Sequence, residues 1–233
     1  MPARGTLTGA LSALCLLLSA CAARRPTVER ILEHRATIEI HPDATLSVRE
    51  TTRVRSRGVR IRHGIIRRLP GRYVDSTGAE HRARYSVESV VRDGRPEPHD
   101  VIEGDRGSLT VYLGDRGVPL PPGEHTYVLR YRTGPHLVRL GDRWELPWEL
   151  SAPGGALPID AASATVQLPD SVPEGELRAR GVVAGPDRRL RVEAEAKGSV
   201  VRIRSPKRLA TDEGLRFFVS WPPDALPVRP ADR

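Results

Sequence analysis

The sequence predicts an all-β protein: an antiparallel β-sandwich-like domain that follows an N-terminal export signal. Three observations lead there. Apolar and polar residues alternate with a period of two along most of the chain, while helical periodicity is weak. Turn signals recur at short intervals, the pattern of a sandwich or barrel. Glycine and proline, 21 of each, are spread between the alternating runs and not gathered in one linker. A proline placed there removes no N–H from a strand ladder.

The chain opens with Arg4 as the only charge before an uncharged, leucine-dense run from Leu7 to Ala20, closed by small residues. This is the layout of a secretory signal, and the run is too short to span a bilayer, which needs about 20 apolar residues. Both cysteines, Cys15 and Cys21, lie in this region. Leu18-Ser19-Ala20-Cys21 resembles the bacterial lipobox, in which the thiol receives a diacylglyceryl group, the signal is cut before the Cys and the new amine is acylated, with chains such as palmitate. On that reading Cys15 leaves with the signal and Cys21 is the lipid attachment point. The alternative is an ordinary signal peptide that leaves Cys21 as a stray thiol. Two or three acyl chains would anchor the protein stably, each buried CH₂ contributing roughly 0.8 kcal/mol. No disulfide can form within the mature chain, so an apolar core must carry its stability.

Beyond a short tether, "RATIEIHPDATLSVRETTRV" reads as a hairpin. Ile38 and Ile40 share a face, "HPDA" turns, and Leu46, Val48 and Val54 return. "ARYSVESVV" (83–91) runs into the turn Asp93-Gly94, and "SLTVYL" (108–113) into Gly114-Asp115-Arg116-Gly117. In "HTYVLRYRTG", Tyr127, Leu129 and Tyr131 face the core and Arg130 and Arg132 face water, because successive strand side chains point to opposite faces. Further strands are expected at 163–169, 189–196, 199–204 and 215–221. Two stretches are less regular: 58–78, which carries short apolar pairs between basic residues, and 138–160, a long connection with two tryptophans. Long loops in compact domains are often functional. The end, "PPDALPVRPADR", reads as a frayed Pro-rich tail.

The net charge is +8, almost all of the positive charge being arginine, with Lys197 and Lys207 the two lysines. Such a balance suits an acidic partner, either phosphate-rich envelope lipid or nucleic acid. The plainer reading is a solvated strand face, since arginines alternate with apolar residues in "LRVEAEA" and "VVRIRS". Export, the lack of zinc-finger spacing or a basic run, and the scarcity of aromatics argue against nucleic acid.

The seven histidines, His34, His41, His63, His81, His99, His125 and His136, form no HExxH pattern, and most of them read as turn or strand-surface residues. Asp142, Glu145 and Glu149 lie beside Trp144 and Trp148. Carboxylates beside aromatics suit glycan cleavage, but on one strand Glu145 and Glu149 would stand roughly 13 Å apart at 3.3 Å per residue. That exceeds the separation glycosidases use, and a packed strand whose tryptophans seal a sandwich edge is the plainer reading. No Gly-x-Ser-x-Gly elbow or Ser-x-x-Lys motif occurs, and Ser76 has no implied base. Arg67 and Arg68, after Ile65-Ile66, carry the planar fork that suits phosphate and carboxylate. They are candidates for contact with an anionic envelope component or an envelope protein. The plainer alternative is a loop in which Ile66 and Leu69 dock while both arginines are solvated.

"HGIIRRLPGRY" (63–73), "GEHTYVLRYRTG" (123–134), "DRWELPWEL" (142–150) and "IDAASATVQLP" (159–169) occur in this order. The ordered set resembles the extracytoplasmic N-terminal domain of the YciQ-like predicted membrane proteins, a bacterial family of unknown function. The resemblance covers about residues 28–223 and carries over no catalytic residue. Family members continue into transmembrane helices, whereas here a lipid is expected to hold the domain. The expected organisation is therefore a signal peptide at 1–20, a tether at 21–27, the β domain at 28–223 and the tail at 224–233. The expected function is noncatalytic binding or scaffolding at the cell envelope without a cofactor, on the outer membrane facing the periplasm if the host has two membranes. Arg67, Arg68, Trp144 and Trp148 are the candidate interaction surface. The contrasting function is an envelope hydrolase acting on glycan or peptide.

Overall fold

The computed structural model describes residues 28–134, 136–186 and 189–224. The expected signal peptide, Cys21, the expected tether and all but the first residue of the expected tail lie outside them. The described chain is all-β, as the alternation predicts, with one 3-10 turn at Asp105–Gly107.

In chain order the strands are β1 (Arg30–Ile40), β2 (Leu46–Ser56), β3 (Gly64–Leu69), β4 (Arg72–Val74), β5 (Glu80–Arg82) and β6 (Arg84–Arg92). Next come β7 (Arg95–Pro96), β8 (His99–Glu103), β9 (Leu109–Gly114), β10 (Gly123–Gly134), β11 (Val138–Leu140) and β12 (Arg143–Ser151). The last six are β13 (Ala162–Gln167), β14 (Arg178–Ala184), β15 (Arg189–Arg191), β16 (Glu193–Lys197), β17 (Val200–Arg204) and β18 (Gly214–Trp221).

An eight-stranded sheet has the order β16-β17-β13-β1-β2-β10-β6-β7. A five-stranded sheet runs β11-β12-β18-β14-β15, a three-stranded one β3-β9-β8, and β4 pairs with β5. Pairing is antiparallel except for β1 with β13. A parallel neighbour requires a long crossover, and here everything from β2 to β12 intervenes. The inward residues of the three larger sheets join one buried cluster, among them Ile38, Val48, Leu69, Val111, Leu146 and Phe217.

The predicted hairpin of β1 and β2 is present, with Ile38 paired to Val48. On β10, Tyr127, Leu129 and Tyr131 are buried and Arg130 and Arg132 exposed. Asp93 and Gly94 both take positive φ between β6 and β7, as a two-residue type I′ turn demands.

Three expectations are corrected. Of residues 138–160 only 152–160 are a connection: β11 and β12 form a hairpin closed by Gly141-Asp142, with Gly141 at φ 58°. Glycine at the first central position is the type II′ signal. Beyond Glu145, β12 has left β11, so Pro147 lies where one side of the strand is unpaired. The run 189–196 is not one strand either. Leu190 pairs with Val183 in the five-stranded sheet, whereas Ala194 pairs with Ile203 in the eight-stranded one. The motif-like segment after His63 is strand β3 and not a loop, antiparallel to β9 from Gly64↔Gly114 to Leu69↔Leu109. Of the seven histidines, His34 and His136 are the buried ones.

Candidate functional site

Strand alternation on β2 directs Leu46, Val48, Glu50 and Val54 inward. A carboxylate on that face costs several kcal/mol unless paired and hydrogen-bonded. Its partner comes from β3, where Arg67 is flanked on the inner face by Ile65 and buried Leu69. Arg67 Nε donates to Glu50 Oε2 at 2.6 Å and Nη2 to Oε1 at 2.8 Å, a bidentate fork. The Tyr131 hydroxyl donates to the same Oε1 at 2.8 Å. Burial alone would push the Glu50 carboxyl up, but the Arg67 charge and hydrogen bonds, with His34 and Tyr131, hold it below its ordinary value. Glu50 raises the Arg67 pKa in return, against the opposing effect of burial. His34, on β1, lies with Nδ1 2.9 Å from Thr52 Oγ1. Burial chiefly, with the Arg67 charge, lowers its pKa, and Glu50 and the Leu150 carbonyl oppose this.

This cluster separates two cavities. The larger is a cleft of about 550 Å³ between the inner face of β1, β2 and β10, strand β3 with the end of β9, and the segment 150–159. Its walls are largely apolar, with Val54, Ile61, Ile65, Leu113, Leu129 and Ile159 among them, and Glu50, Arg67 and His34 also line it. Tyr127 lines it as well, 1% exposed, and its hydroxyl has no hydrogen-bond partner. The cleft edge at 57–61 is shaped by Glu29, whose carboxylate accepts the amides of Arg57 at 2.7 Å, Val59 at 3.1 Å, Arg60 at 2.6 Å and Ile61 at 3.3 Å. Burial opposes ionisation of Glu29, and those four amides lower its pKa. Arg60, Arg62 and Arg68 also line the cleft, and among the described residues none of the three is ion-paired with a carboxylate.

On the other side of Arg67 is a pocket of about 90 Å³ lined by Tyr73, Tyr85, Tyr131, His136 and Trp148. The His136 ring stacks on Tyr73 at 4.2 Å and 13° and lies 5.0 Å from Trp148. Burial lowers the His136 pKa to about 3 and raises that of Tyr73 to about 12. Trp148 Nε1 is buried without a partner.

The four residues singled out from the sequence are distributed unevenly. Arg67 and Trp148 meet at the aromatic pocket, and Arg67 and Arg68 at the cleft. Arg67 is not a free surface cation, since β3 turns it onto Glu50. Ile66, expected to dock, is 54% exposed, while Ile65 packs against the core. Trp144 lines neither cavity; the Arg139 guanidinium lies 5.7 Å from its ring centre. Two of the carboxylates near the tryptophans have structural partners. Glu145 accepts the Ser76 amide at 2.9 Å, and Arg216 donates to Glu149 at 2.7 Å. Sequence reasoning passed over Glu50, although a signal existed: an acid and a base each occupy an inward position of an apolar strand, and opposite charges so placed require each other. Glu29 carries no comparable signal, because its partners are backbone amides. Among the described residues no group of three or more His, Cys, Asp or Glu could hold a metal ion, and no helix is long and apolar enough to cross a membrane.

Residues 30–221 match the model of the family described as the N-terminal domain of a predicted membrane protein (DUF2207), and the chain belongs to that family. Over 112 residues it is 30% identical to the uncharacterized protein YciQ of Escherichia coli strain K12. That alignment covers 48% of this chain and 18% of YciQ. Among solved structures, yeast LTA4 hydrolase bound to bestatin is similar with a TM-score of 0.48 and 12% identity, over 84% of this chain and 31% of that one. An M1 zinc metallopeptidase from Deinococcus radiodurans is similar with a TM-score of 0.42 and 14% identity, over 81% and 42%. The chain thus spans less than half the length of each of these proteins.

Proposed function

We propose that the protein is held at the cell envelope by lipid on Cys21 and that its β domain, residues 28–223, binds an envelope component without turning it over. The observation that supports binding is the cleft of about 550 Å³, within the range of about 300–1,000 Å³ usual for ligand sites. Its ionisable floor is engaged in fixed contacts: Glu50 holds Arg67 and Tyr131, and His34 lies against Thr52. Groups so engaged organise a site more readily than they exchange protons with a substrate. Membership of a family of predicted membrane proteins supports a position beside a bilayer. Arg68 and the cleft edge form the interaction surface in this reading, and Arg67 and Trp148 support it from within. Ala22 after the cysteine supports the outer membrane in a host that follows the enteric sorting rule.

The test is photo-crosslinking in cells from a probe at exposed Arg68, with Arg130 on the outward face of β10 as control. A component captured from 68 and not from 130 is the expected result. If purified protein instead hydrolyses glycan or peptide, and an activity-based probe attaches to a described side chain, the hydrolase reading replaces this one.

A further inference from the structure

The chemistry of the cleft is split by depth. Its interior is largely branched aliphatic and aromatic, with His34, Thr52 and the single carboxylate lining it, Glu50, which is neutralised by Arg67. At its edge lie Arg60, Arg62 and Arg68, with no carboxylate partner among the described residues, and His63. Arg62 and Arg68 are exposed, and Arg60 Nη1 donates to the Ala156 carbonyl across the cleft. The same edge exposes an apolar side chain, Ile66, at 54%. An apolar cavity under a cationic, partly apolar rim is complementary to a molecule with a hydrocarbon body and an anionic head. Guanidinium forks match phosphate oxygens, and a buried chain gains about as much per CH₂ in such a cavity as in a bilayer.

We propose that the cleft takes up one acyl chain of an anionic phospholipid, with the phosphate on Arg62 and Arg68. This rests on the binding reading above and names its ligand class. The apolar walls formed by Val54, Ile65, Leu113 and Leu129 enclose the chain. The Glu29 carboxylate fixes the 57–61 backbone and so holds Arg60 in position. Because the Arg67 fork is occupied by Glu50, the head group is bound at the rim and not at the floor.

The experiment uses the full chain in mild detergent and phosphatidylglycerol carrying a pyrene-labelled acyl chain, with the equally labelled phosphatidylcholine in parallel. Saturable uptake near one lipid per chain is expected, with phosphatidylglycerol preferred by at least about fivefold. Arg62→Glu/Arg68→Glu should weaken phosphatidylglycerol binding at least about tenfold, given the attraction each basic residue contributes near an anionic surface, and leave phosphatidylcholine nearly unchanged. Ala156→Trp, at an exposed position lining the cleft, should reduce uptake of both lipids. Thermal melting establishes that both variants fold. Uptake unaffected by Ala156→Trp, or no head-group preference, would overturn the proposal. If the chain takes up no lipid yet is crosslinked at Arg68 to an envelope protein, the phospholipid is excluded and the binding reading stands. If neither occurs, both fall.

Discussion

Glu50 and Arg67 form a charged pair in the interior. Each is charged, and each occupies a position that alternation reserves for an apolar side chain. Removing one leaves the other buried and unpaired, which costs about 3–5 kcal/mol. Arg67→Ala should therefore lower stability by that amount in urea titration, and Glu50→Leu/Arg67→Leu should recover most of it. A loss below about 1 kcal/mol for Arg67→Ala would show that water satisfies Glu50. Acid adds a second test. Burial depresses the His136 pKa to about 3, well below its ordinary value. The unfolded chain therefore binds the proton more readily, and the neutral ring contributes stability that is complete above about pH 6.5 and is lost as pH falls toward 3. His34 is shifted in the same direction. The Glu50 carboxyl is also depressed, so its contribution is lost at lower pH, as pH falls from its ordinary range through its folded value. Stability should fall from about pH 6.5 downward, by up to about 1.4 kcal/mol per pH unit for each fully buried group. His136→Phe keeps a ring beside Tyr73 and should flatten this acid limb. An unchanged limb would assign the acid sensitivity elsewhere.

At the scale of elements, β10 carries the clearest pattern. Leu129 is buried and Arg130, its neighbour, is exposed. Leu129→Ala should cost about 2–5 kcal/mol, and Arg130→Ala should stay within roughly 0.5 kcal/mol. Equal losses would place β10 one residue out of register, since such a slip exchanges the faces. β3 depends on closeness to β9. Gly64 and Gly114 face each other, both at positive φ, and a Cβ on Gly64 would meet the Leu113 carbonyl oxygen at 2.0 Å. Gly64→Ala should thus separate the strands at the cleft edge, seen as faster amide exchange over 64–66 and 112–114. Unchanged protection would mean that the backbone shifts without loss of pairing.

At the scale of the whole molecule, the lipid proposed on Cys21 would decide where the domain works. Cys21 should incorporate a fatty-acid analogue that Cys21→Ser does not, and equal labelling of both would remove the anchor. Sequence by itself determined the all-β class, the β1–β2 hairpin, the two faces of β10 and the family, because strand alternation and turn chemistry are local properties of the chain. It did not pair Glu50 with Arg67, although both stand in it as charges between apolar residues. Tertiary structure alone decided that these two charges meet, although they lie 17 residues apart on different sheets. It also divided residues 189–197 between two sheets and set Trp148 beside His136 while leaving Trp144 outside both cavities. The physical reason is the same in each case. Strand partners and the closing of a cleft are fixed by burial shared among segments remote in sequence, and no local pattern specifies which buried face will find which.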